Sequence, residues 1–158
     1  MKVLVRVCAI AMLMICVVGD VYAAGQVGYS GVNLNIRSGP SVRFPAVGVL
    51  GASSELVIHG CIARYTWCDV SASGMRGWAS GAHIQFVYED RRVYVPAYAA
   101  HVEIPIITFD VTNYWREYYH EYDFYRDLNH WSGYHWADDG SPPGWRDNWD
   151  DYYEGNEY

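Results

Sequence analysis

From Val32 to Val87 the chain is cut into strand-length pieces by Gly, Pro and Ser, which confines this stretch to a small β structure. Val32-Asn33-Leu34-Asn35-Ile36 alternates apolar and polar residues, the period of a half-buried strand. Arg37-Ser38-Gly39-Pro40-Ser41 then breaks it with turn residues. Ala46 to Leu50 and Glu55 to His59 read as two further strands, split by Gly51-Ala52-Ser53-Ser54. Trp67 to Val70 makes the next, Gly74 sits at a turn, Arg76 to Ala79 follows, and Ile84 to Val87 closes the sheet. Five or more short strands over about sixty residues predict a small antiparallel barrel.

What precedes this stretch reads as a leader. Lys2 and Arg6 are followed by an apolar run from Val7 to Val18, then Gly19-Asp20 and Val21-Tyr22-Ala23. A basic start, an apolar stretch of about a dozen residues and small residues at a cleavage point predict a secretory signal peptide over 1–23. The run falls short of the roughly 20 apolar residues that span a bilayer, so no stable membrane span is expected after cleavage. Lipoprotein processing at Cys16 is set aside, because Ile15 stands where a small residue is needed. Cleavage after Ala23 leaves Cys61 and Cys68 in an oxidising compartment, periplasmic or outside the cell. If Cys61 ends one strand and Cys68 sits on the next, a cross-strand disulfide is expected, worth about 2–3 kcal/mol on the chain-entropy model; a pair of free, reactive thiols is the other reading.

Charge divides the remainder. From Ala24 to Phe109 six arginines face five acids, whereas from Asp110 onward twelve acids face three arginines. Nucleic-acid binding needs clustered positive charge, which is missing, so no nucleic-acid partner is expected.

Leu34-Asn35-Ile36-Arg37-Ser38-Gly39-Pro40-Ser41, with Trp67-Cys68-Asp69-Val70 and Arg76-Gly77-Trp78-Ala79-Ser80 downstream, resembles the bacterial Src-homology-3 (SH3b) domain over about Val27 to Phe86. The resemblance implies a five-stranded barrel used as a targeting or ligand-binding module, often towards peptidoglycan or its peptide stems, and it does not imply catalysis. Paired cysteines at this hairpin are similar to those of a secreted subgroup.

The candidate ligand-binding residues are Tyr65, Trp67, Trp78, Arg37 and Asn35. Tyr65 and Trp67 flank the hairpin at Cys68, and rigid aromatics beside a polar loop stack on sugars or contact peptides. Cross-strand packing is the competing reading for both. Trp78, beside Gly77, reads either as core or as ligand surface, and Arg37 either braces its loop through carbonyls or meets a ligand. Gly39 and Gly77 serve the backbone, by positive φ or close approach.

The segment from Asp110 to Tyr158 holds fifteen aromatics in forty-nine residues and almost no Leu, Ile or Val. Val111, Trp115, Tyr118, Tyr122 and Tyr125 recur at helical spacing and predict one amphipathic helix from Thr112 to Leu128, capped by Asp110 or Thr112. Its stripe is expected to pack on the barrel or on a partner, with a sugar-stacking or adhesive surface as the other reading. Asp138-Asp139-Gly140-Ser141-Pro142-Pro143-Gly144 breaks the pattern, and the acidity beyond it predicts a flexible tail. His120, His130 and His135 lie among carboxylates but at no metal-ligand spacing, so no metal is expected.

The expected organisation is a signal peptide at 1–23, a bacterial SH3-like barrel at 24–90, a linker at 91–109, an aromatic amphipathic helix at 110–132 and an acidic aromatic flexible tail at 133–158. The fold class is mainly β, a small five-stranded barrel followed by one short helix. Catalysis is not expected, since the remaining thiols sit inside the barrel and neither a nucleophile elbow nor a phosphate-cradling loop is present. No cofactor is expected. The function predicted is a non-catalytic binding module for a cell-wall polymer, peptidoglycan above all; the other reading is an envelope protein that docks a protein partner through barrel and helix.

Overall fold

The computed structural model describes residues 25–133, so the expected leader and the tail beyond Gly133 lie outside the described residues. Eight strands form one antiparallel sheet: β1 (Gln26–Ser30), β2 (Leu34–Arg37), β3 (Ala46–Leu50), β4 (Glu55–Cys61), β5 (Trp67–Ala72), β6 (Met75–Ser80), β7 (Ile84–Tyr88) and β8 (Arg91–Tyr94). Their order is β3-β2-β6-β5-β4-β1-β7-β8, and the sheet is open, with β3 and β8 as its edges.

The expected closed, five-stranded barrel is therefore corrected to an open sheet of eight. Two of the additional strands come from the flanks. β1 inserts between β4 and β7, pairing Val27 with Val57 and Tyr29 with Gln85. β8 returns along β7 through a two-residue turn in which Glu89 and Asp90 both take positive φ, 48° and 62°. That backbone is the one whose twist suits a tight hairpin, normally supplied by Asn-Gly or Asp-Gly. A Glu-Asp pair carries it here without that signature.

Side chains alternate as the pleat requires. Ile84 and Phe86 of β7 are buried while Gln85 and Val87 between and beyond them are not. With Leu34, Ile36, Leu56, Ile58, Val70 and the Cys61–Cys68 disulfide they form the main core. A bulge at His59, between the pairs Ile58↔Val70 and Gly60↔Asp69, brings Cys61 opposite Cys68.

Residues 91–109, expected as a linker, are built into the fold. After β8 come α1 (Val95–Tyr98) and a 3₁₀ turn at Ala99–Val102, which bury Val95 and Ala99 in the main core. The chain then runs beside the end of β4: the Cys61 N–H donates to the Pro105 carbonyl at 2.9 Å and the Ile107 N–H to the Cys61 carbonyl at 2.8 Å. This return carries Phe109 and Asp110 to the sheet surface.

The expected single helix is corrected as well. α2 (Val111–Tyr118) starts where Asp110 accepts from the Asn113 N–H at 2.8 Å, and it stops after two turns. A 3₁₀ turn at Asp123–Asp127 and α3 (Leu128–Ser132) follow. A straight helix over Thr112 to Leu128 would run about 25 Å and leave the patch it covers. The break folds Trp131 back onto Phe44, with ring centroids 5.0 Å apart, and seats Phe44, Val111, Trp115, Tyr119, Phe124, Leu128 and Trp131 in a second core. Tyr119 takes the inward place expected of Tyr118, its hydroxyl donating to the Arg76 carbonyl at 2.6 Å, while Tyr122 is exposed.

Candidate binding site

The turn between β2 and β3 is the first wall of the site. Arg37 is buried and its Nη1 donates to the Phe44 carbonyl at 3.0 Å, which braces the loop from beneath. Gly39 leaves room for Phe44: a Cβ there would lie 2.5 Å from the phenyl ring. Phe44 is thereby turned inward, while Pro40, Ser41 and Val42 face out, Val42 with 58% of its surface exposed.

The opposite wall is the β4–β5 hairpin, held at its base by the Cys61–Cys68 disulfide. It contributes Ile62 and Trp67. Phe109 closes the third side, packed edge-on against both Phe44 and Trp78. Between them lies an apolar groove of about 490 Å³. Covalent, hydrogen-bonded and packed supports thus fix its three walls, the preorganisation that lowers the ordering cost of binding.

A second cleft of about 310 Å³, of mixed polar and apolar lining, opens between β5–β6 and α2. Asp69, Trp78, Asp110, Tyr114, Glu117 and Tyr118 border it. Asp69 is buried and accepts from Arg76 Nε at 2.7 Å, Arg76 Nη2 at 2.5 Å and the Tyr114 hydroxyl at 2.6 Å. Burial alone would lower the Arg76 guanidinium, yet its hydrogen bond to Asp69 and that carboxylate's charge hold it above its ordinary value. Burial, with the Asp69 charge added, pushes the phenols of Tyr114 and Tyr119 well above theirs.

Of the residues singled out in the sequence, only Trp67 lines the groove. Trp78 is 1% exposed, covered by Phe109 and Tyr114, and borders the cleft rather than presenting a stacking face. Tyr65 packs half-buried against the main core, and Asn35 pairs with Val49 of β3. Neither lines groove or cleft. Gly77 is a point of close approach, where a Cβ would meet the Arg37 carbonyl at 2.6 Å and the Tyr119 hydroxyl at 2.9 Å.

Phe109, Val42 and Ile62 escaped the sequence reading. A signal for Phe109 was available: it immediately precedes the helix cap Asp110 and meets Tyr114 at the fourth helical position, centroids 5.6 Å apart, as a hydrophobic staple. Among the described residues no group of three or more His, Cys, Asp or Glu side chains could hold a metal ion, and no helix is long and apolar enough to cross a membrane.

Residues 32–85 match the family model of the bacterial SH3 domain. The match takes in β2 through the start of β7, including the Arg37–Pro45 loop, Ile62 and Trp67; β1, β8, Phe109 and the aromatic helices fall outside it. No curated protein matches the chain.

Proposed function

We propose that the protein is an exported, non-catalytic binding module that holds a cell-envelope polymer, peptidoglycan first, in the groove between the Arg37–Pro45 loop and Trp67. The observation that carries the reading is the groove itself: apolar, aromatic on two sides, and backed by a disulfide and a buried arginine. Such a surface suits the apolar faces of sugar rings or the methyl groups of short peptides. The bacterial SH3 match supports binding over chemistry, since two of the three walls lie within it. A disulfide in a small domain supports export to an oxidising compartment.

The test is a pull-down of the purified protein with cell-wall sacculi. Retention on the sacculi that is lost in Trp67→Ala, with the melting temperature little changed, is the expected result. A wild-type protein that stays in the supernatant overturns it.

The second reading, docking of a protein partner, rests on Val42, exposed at the lip of an apolar groove. Trp115 of the helix stripe takes no part in it, being fully buried in its own chain with its Nε1 donating to the Ser38 carbonyl at 2.8 Å, whereas Tyr122 of the same stripe is exposed. A stable oligomer in size-exclusion chromatography with light scattering, abolished by Val42→Asp, would favour it over polymer binding.

A further inference from the structure

We propose that the carboxylate-bordered cleft between α2 and β5–β6 is a second binding site, one that takes a primary ammonium group with a hydrogen-bond acceptor beside it, as an amino sugar or the free amine of an amino acid carries. The inference does not depend on what fills the Trp67 groove.

Charge is the first argument. Three carboxylates border the cleft, and one guanidinium, that of Arg76, stands against them. Asp69 is consumed by Arg76 and Tyr114, so its charge is answered within the fold. Asp110 and Glu117 are in no ion pair among the described residues; Glu117 interacts with the neighbouring Tyr118 hydroxyl, which leaves its charge in place. Both acids are exposed and lie seven residues apart, two turns of α2, which puts them on one face of the helix. Asp110 spends one oxygen on the Asn113 N–H, which leaves its other oxygen open to a ligand. The mouth of the cleft is therefore negative, with Tyr114 and Tyr118 at its sides; the Tyr118 ring already carries the Arg76 guanidinium, 5.2 Å from its centroid, so it is the carboxylates that favour a compact cation.

An orphan donor is the second, independent argument. Trp78 borders the same cleft, is 1% exposed, and its Nε1–H finds no acceptor among the described residues. A buried donor without a partner is costly and rare in a settled fold, and an incoming acceptor offsets that cost. Donor in the wall and carboxylates at the mouth match a ligand that has both a cation and, one or two bonds away, a carbonyl or hydroxyl oxygen. A plain metal ion satisfies the carboxylates alone, and a neutral sugar or amide satisfies the indole alone.

The test is an NMR titration of the ¹⁵N-labelled protein at pH 6 with D-glucosamine and with L-alaninamide, each beside its N-acetylated counterpart. The Trp78 indole N–H signal is assigned by its loss in Trp78→Phe. At least one free amine is expected to move that signal saturably, with the acetylated form at least tenfold weaker. The amine that moves it identifies the source, sugar or amino acid. Asp110→Asn combined with Glu117→Gln, which keeps the cap oxygen and the side-chain shapes, should weaken the same amine at least tenfold. An indole signal unmoved by both amines, equal binding of the acetylated forms, or an unchanged affinity in the double variant would each overturn the proposal. Trp67→Ala should leave these titrations as they are, so failure here and failure of the groove are separate results.

Discussion

Replacing Asp69 by Asn keeps the side-chain shape and removes the charge at the point where α2 is tied to the sheet. The Asp69 side chain is 6% exposed and that of Arg76 24%, so the pair is mostly but not fully withdrawn from water. Removing one member of a buried pair costs about 3–5 kcal/mol, because the other is left uncompensated. The exposed quarter of Arg76 lets water recover part of that, which brings the expected loss to about 2–4 kcal/mol. Tyr114→Phe removes one hydrogen bond to the same carboxylate and should cost about 1–2 kcal/mol. Since both changes strike one hub, the double variant should lose at least about 1 kcal/mol less than the two losses combined. Urea unfolding with the disulfide intact, followed by tryptophan fluorescence and by far-ultraviolet circular dichroism, measures all three. The two probes should report one transition, because Val47 packs against both cores and couples them. An Asp69→Asn variant within about 0.5 kcal/mol of the parent, or strict additivity, would refute the hub.

Further expectations follow from the same contacts. Tyr114 and Tyr119 have phenols raised above their ordinary value, so the folded state holds their protons longer than the unfolded chain. The stability they confer is complete below about pH 10 and is lost as pH rises above it; an alkaline melting series should show this, and Tyr114→Phe with Tyr119→Phe should flatten it. Val42→Asp places a charge at the lip of the groove on a side chain that is already 58% exposed, so sacculus retention should fall while the urea midpoint stays put. Gly39→Ala forces a methyl against the Phe44 ring, which should cost about 1–3 kcal/mol in urea and loosen the groove wall with it.

How much of this was legible in the sequence depends on the range of the interaction that decides each feature. The strands from β2 to β7 are visible because alternation and turn residues are local, and the cysteine pairing because six intervening residues fit one hairpin. β8 was hidden behind Glu89-Asp90-Arg91-Arg92, a charge cluster that reads as the end of a domain although its backbone makes a tight turn. β1 was hidden by its position beside the expected leader and by Gly28, where a Cβ would press on the Gln85 carbonyl and the Leu56 and Ile58 side chains. The end of α2 was not legible, because Tyr118, Tyr119 and Tyr122 continue a helical pattern that only the sheet surface interrupts.

The site illustrates the same division more sharply. Trp67 and the Arg37–Pro45 loop belong to the segment that matches the bacterial SH3 domain, and local motifs point to both. Phe109 lies outside that segment, yet it forms a wall of the groove and, wedged between Trp78 and Phe44, separates groove from cleft. The Trp115 Nε1–H, donated to Ser38 across seventy-seven positions, and the Tyr114 hydroxyl, donated to Asp69 across forty-five, hold Phe109 there. Pairings of that range leave no periodic trace, because each end reads alone as an ordinary aromatic or a solvated acid. The described part of the aromatic segment is for this reason a structural part of the groove-bearing surface rather than an appendage to it. Tyr114, Trp115 and Tyr119 stand where leucines would fill space equally well, since their hydroxyl and indole donors also satisfy the carbonyls and the carboxylate that the open sheet exposes beneath them.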